Sequence, residues 1–215
     1  MHPYEEVAGI DGCKAGWVVV TSDDVFVIPS LNRDQFDRAG IDIPIGLIDG
    51  APRACDIEAR RYLGSAGSSV FPAPPRVTLA CTDYRSALDA ARAATGRGIS
   101  KQTFNIIPKV AEVDRLIDPA NQDVLVEVHP ECTFKMLNDE RSLPSKRTAE
   151  GQVLRRRLLA EHFDIPAGAP PGARLDDLLD AYAVLLSVSR FARNAHRAFG
   201  DGQRDSRGIQ MRIVC

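Results

Sequence analysis

Four carboxylates interrupt runs that otherwise read as buried backbone. Asp11 closes an apolar strand, Asp42 lies in Gly40-Ile-Asp-Ile-Pro-Ile45, Glu127 lies in Val124-Leu-Val-Glu-Val128, and Asp180 is the only charged residue between Asp177 and Arg190. An unpaired buried charge is expensive, so each acid must find a partner, a metal ion or a shifted pKa.

The segments around these acids alternate between two periods. Residues 7–11, a turn bounded by Gly12 and Gly16, and Trp17-Val-Val-Val20 read as a hairpin, with Val25-Phe-Val-Ile28 as a third strand. Residues 32–39 read as a short helix with Asn32 as its N-cap. A fourth strand is expected over 41–47, ending near Pro44, which has no N–H for a ladder. From 50 to 120 the pattern turns helical, with stretches at 55–63, 83–94 and 107–116 separated by loops such as Val70-Phe-Pro-Ala-Pro-Pro75. Residues 123–131 restore the period of two, with Val124, Val126 and Val128 on one side and Leu125, Glu127 and His129 on the other. Two helices, 149–163 and 175–199, complete the chain. The expectation is a single α/β domain over 1–215, with a mixed five-stranded sheet flanked by helices and a helical insertion at 50–120 between the fourth and fifth strands.

On the last helix Leu178, Leu179, Tyr182, Leu185 and Leu186 form the main apolar stripe, and Asp180 lies roughly opposite its centre. Val184, Val188 and Phe191 continue the Asp180 face, so the helix is apolar nearly all round and its acidic end should abut something other than bulk water. Asp176 and Asp177 lie close enough to join Asp180, yet first-turn acids also favour the helix dipole without further purpose. Strand-end ion pairs would likewise account for Asp42 and Glu127, a turn for Asp11, and a buried arginine partner for Asp180. A single cause for all four is a set of hard oxygen ligands for Mg²⁺ or Mn²⁺. Two such ions, about 3.5–4 Å apart, activate water and stabilise the leaving oxygen in phosphodiester hydrolysis.

Composition narrows the partners. Twenty-seven Lys and Arg against 29 Asp and Glu give a net charge of -2, so a polyanion would need a local basic patch. Arg141, Lys146, Arg147, Arg155, Arg156 and Arg157, with Glu150 the only acid among them, supply a candidate. Five cysteines without a CxxC pair suggest neither a disulfide scaffold nor structural zinc, and a reducing cytoplasm is the expected setting. No secretory signal and no apolar run of about 20 residues is evident, so neither secretion nor a membrane span is expected.

Gly9-Ile-Asp-Gly-Cys-Lys-Ala-Gly-Trp17, Ile41-Asp-Ile-Pro-Ile-Gly-Leu47, Glu127-Val-His-Pro-Glu131 and Asp176-Asp-Leu-Leu-Asp-Ala181 resemble the signature blocks of a family of predicted RNase H-like nucleases, catalogued as a domain of unknown function. The likeness extends from about 7 to 213 and includes Pro52-Arg-Ala-Cys-Asp56, Val70-Phe-Pro72, Ser100-Lys-Gln102 and Pro108-Lys-Val-Ala-Glu-Val-Asp114. It implies an RNase H-like fold whose acids ligate two metal ions and a nucleic-acid substrate, DNA or RNA. By position, Asp11 takes the first-strand role, Asp42 or Glu127 the later strands, and Asp180 with Asp177 the helix. His129 is a candidate proton shuttle and Glu131 a candidate outer ligand. Lys146, Arg155 and Arg156, and from the insertion Arg53, Arg60, Arg76, Gln102 and Lys109, are candidate substrate contacts. Two other readings stay open: an ATP-dependent phosphotransferase of actin-like fold, suggested by the Asp11-Gly12 hairpin, and a non-catalytic binding module whose acids are structural pairs.

Overall fold

The computed structural model describes residues 7–32, 35–50, 52–200 and 202–215. Strands β1 (Val7–Cys13), β2 (Gly16–Val20) and β3 (Val25–Ile28) form an antiparallel meander. Its tight first turn uses Gly16 at a φ of 135°, where a side chain would also strike the backbone at Ile28 and Pro29. β4 (Arg38–Ile41) and β5 (Leu125–Glu127) then add parallel to β1 on its other edge. The order β3-β2-β1-β4-β5, with helices on both faces, is the RNase H-like architecture. A short ribbon of β6 (Ala198–Phe199) and β7 (Ile213–Val214) stands beside it.

Between β4 and β5 lie α1 (Ala54–Leu63), α2 (Tyr84–Thr95), α3 (Lys101–Leu116) and two 3₁₀ turns, the expected insertion. α2 and α3 each begin at a side chain that accepts a backbone N–H two or three residues into the helix, Asp83 from Ser86 and Ser100 from Thr103. Following β5 are α4 (Pro130–Leu137), α5 (Ala149–Ala160) and α6 (Leu175–Ala192).

α6 is the keel of the fold. Nearly every residue from Leu178 to Val188 is buried. The helix lies so close to β1 that a methyl group on Gly9 would overlap the Ala181 carbonyl and the Leu185 backbone. One core fills this side of the sheet, with Val18, Val20, Phe134 and Leu159 against α6, while Ile10, Trp17, Ile41 and Val110 fill the other side. Among the described residues no helix is long and apolar enough to cross a membrane.

Several expectations need correction. The helix expected over 32–39 is not formed at 32 and 35–39: residues 38 and 39 open β4, which thus precedes Asp42, and residues 33 and 34 lie outside the described residues. The fourth strand ends at Ile41, three residues before Pro44, because Asp42 to Pro44 already turn out of the ladder. The terminal helix stops at Ala192, where Asn194 takes a left-handed φ of 55° and the chain turns back toward β6. α4 starts where a strand was expected to continue, at Pro130, whose fixed φ and missing N–H suit a first helical turn.

Candidate functional site

Sheet register brings two acids together. Ile10 pairs with Ile41, so Asp11 and Asp42 come level one residue later, and the Asp42 N–H still donates to Ile10 O at 3.2 Å. Alternation along a strand puts Asp11 on the same face as Gly9 and Asp42 on the same face as Gly40, and both glycines face α6. Asp180 precedes Ala181, the residue that crosses β1 at Gly9, so the helix delivers its acid to the same end. Asp11 and Asp180 are buried, at 9% and 3% exposure, and Asp42 is partly buried.

These carboxylates feel each other. Burial first, then the charges of Asp42 and Asp180, push the Asp11 pKa well above the ordinary value. Burial likewise raises Asp42, against the lowering influence of His129 and Lys146. Asp180 is pushed up to about 6 by burial, although Lys146 opposes the shift. The Lys146 ammonium donates to Asp180 Oδ2 at 2.6 Å. Burial pulls the Lys146 pKa down, but the charges of Asp180, Asp42 and Asp11 outweigh it and hold the lysine up.

Glu127 belongs to a different arrangement. It is level with Ile41, one residue out of step with Asp42, and therefore sits on the opposite face of the sheet. There Arg53 donates to both of its oxygens, at 2.7 and 2.6 Å, and the Ile45 N–H donates to Oε2 at 2.7 Å. The same guanidinium bonds Asp56 and the Ile45 and Gly46 carbonyls. Arg53, 1% exposed, has no donor left for a substrate. This buried Glu127–Arg53–Asp56 group secures the segment that follows Asp42.

The acids open into a cleft of about 880 Å³, lined by Asp11, Asp42, Asp180, Lys146, His129 and residues of the insertion. Glu127 also borders the cleft, with its carboxylate taken by Arg53. Of the other candidates, Gln102, Lys109, Glu131 and Arg155 line it. Lys109 passes over Gly12 and the Trp17 ring and bonds the Gly16 carbonyl. Arg155 is buried and holds both oxygens of Glu131, at 2.9 and 2.7 Å. Three more turn inward: Arg60 to the Val70 carbonyl, Arg76 to Asp114 and Asp205, and Arg156 to the Ile165 and Pro166 carbonyls. Asp177 accepts the Arg174 N–H at 2.8 Å, a helix-start role, while its charge still reaches Asp11. His129 Nε2 lies 3.3 Å from the Ser69 carbonyl, which can only accept, so Nε2 carries the proton. Its buried Nδ1 has no protein partner and is left as an acceptor.

Sequence reasoning did not single out Asp56 as the third member of the Arg53 group, nor the 2.6 Å Lys146–Asp180 pair. The first was signalled by the i, i+3 spacing of Arg53 and Asp56; the second had no local signal, because 34 residues separate the partners.

Among the described residues no group of three or more His, Cys, Asp or Glu side chains is arranged to hold a metal ion. The chemistry of the donors nevertheless suits one: Asp11, Asp42 and Asp180 are hard oxygen ligands, three carboxylates facing two ammoniums, those of Lys146 and Lys109.

The model of a family described as a protein of unknown function, DUF429, matches residues 9–204. No curated protein and no solved structure matches the chain.

Proposed function

The chain belongs to the DUF429 family, and from the acids that meet in its cleft we propose that it is a divalent-metal-dependent nuclease, hydrolysing phosphodiester bonds of nucleic acid. One observation carries this reading: Asp11, Asp42 and Asp180, from β1, the end of β4 and α6, converge on one cleft, where, beyond burial, the charges of Asp42 and Asp180 push Asp11 up and that of Asp42 pushes Asp180 up. Structural acids paired one by one would not crowd in this way, since like charges brought together cost stability that a purely structural site has no reason to bear.

In this reading Asp11, Asp42 and Asp180 hold Mg²⁺ or Mn²⁺, which when bound polarises the phosphoryl group and lowers the pKa of water. The protein's own groups do the rest. Lys146, held on Asp180 in the free protein, offers its ammonium to a phosphate oxygen, and Arg147 lines the same cleft. His129 accepts a proton at Nδ1 while the Ser69 carbonyl fixes its ring. Glu127, Arg53 and Asp56 position the segment after Asp42 and touch no substrate. Glu131 and Arg155 neutralise each other beside the cleft.

The test is a Mg²⁺ and Mn²⁺ titration by calorimetry and thermal shift on the wild type, Asp11→Asn and Asp180→Asn, followed by cleavage of labelled DNA and RNA strands. Saturable binding and cleavage, both lost in the two variants, are expected. Full cleavage in either variant overturns the site, and absence of cleavage on every strand with either metal overturns the activity.

A further inference from the structure

One side of the cleft is built for something other than phosphate. Phe71 lines it at 42% exposure, a costly place for a large apolar ring. Among the described residues it is the only exposed Phe, Tyr or Trp.

The backbone on either side of the ring is also held in place. Arg60 donates through Nε and Nη2 to the Val70 carbonyl, at 2.9 and 2.7 Å, which anchors the residue before Phe71. Two residues after it, the Ala73 N–H donates to Asp56 Oδ2 at 3.3 Å. Asp56 is itself fixed by Arg53, so the loop is tied to the buried group under the cleft. Pro72, Pro74 and Pro75 stiffen what remains. Partly buried Arg60 and buried Asp56 thus fix the backbone that flanks an exposed aromatic.

Helix α3 supplies the companion groups. Gln102, Asn105 and Lys109 are spaced i, i+3, i+7 and line the cleft as one stripe. Lys109 lies over Gly12, next to Asp11, and Gln102 is about 10 Å farther along the helix. The stripe therefore changes from a cation at the acids to exposed neutral amides away from them. Amides and an exposed ring lining the same cleft suit the edge and the face of a nucleobase, while the acid and basic groups suit its phosphate.

We infer that Phe71, with Gln102 and Asn105, forms a nucleobase subsite, so that the cleft takes an unpaired nucleotide and not a base-paired duplex. A ring stacked on Phe71 must have a free face, which a base inside a duplex lacks. The inference rests on the nucleic-acid reading above, but not on cleavage.

The experiment measures binding with Ca²⁺ in place of Mg²⁺, by anisotropy of fluorescein-labelled 12-nucleotide probes. The probes are a mixed-sequence DNA strand, its RNA counterpart, the blunt duplex, and a strand of abasic units that keeps the phosphates. Competition by nucleoside monophosphates tells a mononucleotide site from a strand site. Phe71→Ala is expected to weaken binding of the base-bearing strands about tenfold, to leave the abasic strand unchanged, and to leave the melting temperature unchanged. Phe71→Trp is expected to restore binding. Equal loss on abasic and base-bearing strands, no loss on either, or duplex binding as tight as single-strand binding would each overturn the subsite, as would failure of the wild type to bind any strand or mononucleotide. Base-dependent binding without Mg²⁺-dependent cleavage keeps the subsite and removes the nuclease; cleavage that ignores Phe71 does the reverse.

Discussion

The Lys146 ammonium stands 2.6 Å from Asp180 Oδ2, on the member of the Asp11, Asp42 and Asp180 group that a helix supplies. Lys146 comes from the segment before α5, and its side chain is 42% exposed while that of Asp180 is 5% exposed. The lysine thus balances part of a buried negative charge from the solvent side, where a bound cation would do the same. Lys146→Ala is expected to cost about 1–3 kcal/mol in EDTA, less than a fully buried pair because water screens the lysine. Added Mg²⁺ is expected to recover more stability in this variant than in the wild type. Chemical denaturation with and without the ion measures both, and an equal Mg²⁺ effect in the two proteins would contradict the shared-charge account.

The acids also predict a pH dependence. Asp180 has a folded-state pKa of about 6 against the ordinary 3.8, with burial as its first cause. A raised acid binds its proton more tightly when folded, so its contribution to stability is complete below the unfolded value and is lost as pH rises through about 6. Asp180→Asn cannot titrate. In EDTA it is therefore expected to gain on the wild type, by about 1–3 kcal/mol, between about pH 4 and pH 7.5. Parallel stability curves for the two proteins across that range would rule out the shift.

Arg53 ties two carboxylates and two carbonyls in a site 1% exposed. Arg53→Met would leave Glu127 and Asp56 buried without their cation, and a loss of about 3–5 kcal/mol is expected. Urea unfolding checks it; a loss below about 1 kcal/mol would mean that the carboxylates find other partners or water.

Gly9 is the point where β1 and α6 touch. A methyl group there meets main-chain atoms of Ala181 and Leu185, which cannot rotate away. Gly9→Ala is expected to cost at least the upper part of the usual overpacking range of about 1–3 kcal/mol. It should also weaken metal binding, because lifting α6 separates Asp180 from Asp11. Calorimetric unfolding and a Mn²⁺ titration of the variant test the two effects separately.

Much of the architecture was legible because it is written in local patterns. The hairpin, Val25–Ile28, and the helices of the insertion follow from alternation, turn residues and helical spacing, and the structure forms them near the expected places. The short helix expected at 32–39 gave way to a non-local pairing: Phe36 and Ala39 mimic helical spacing, but Ala39 is needed in the ladder beside Ala8. Burial of Asp180 was legible from the apolar surroundings on both sides of its helix face.

The grouping of the acids was only partly legible. Asp42 and Glu127 read alike, as carboxylates inside β-branched runs, yet the pairing of Ile41 with Glu127 puts one acid on the α6 face and the other on the Arg53 face. A single residue of register decides between them. The basic segment at 141–157 read as one phosphate patch, but Arg155 and Arg156 turn inward to Glu131 and to backbone carbonyls, leaving Lys146 and Arg147 at the cleft.

By itself, then, the sequence determined the fold class, the hairpin, the third strand, the helices of the insertion and the fact that certain charges must be buried, because propensity, period and turn chemistry act over a few neighbouring residues. Only the tertiary structure decided which charges meet, which are neutralised by arginine, and that Phe71 lines the acid cleft. Those outcomes depend on strand register, on the close crossing of β1 by α6, and on contacts between residues such as Arg53 and Glu127 that lie far apart in the chain.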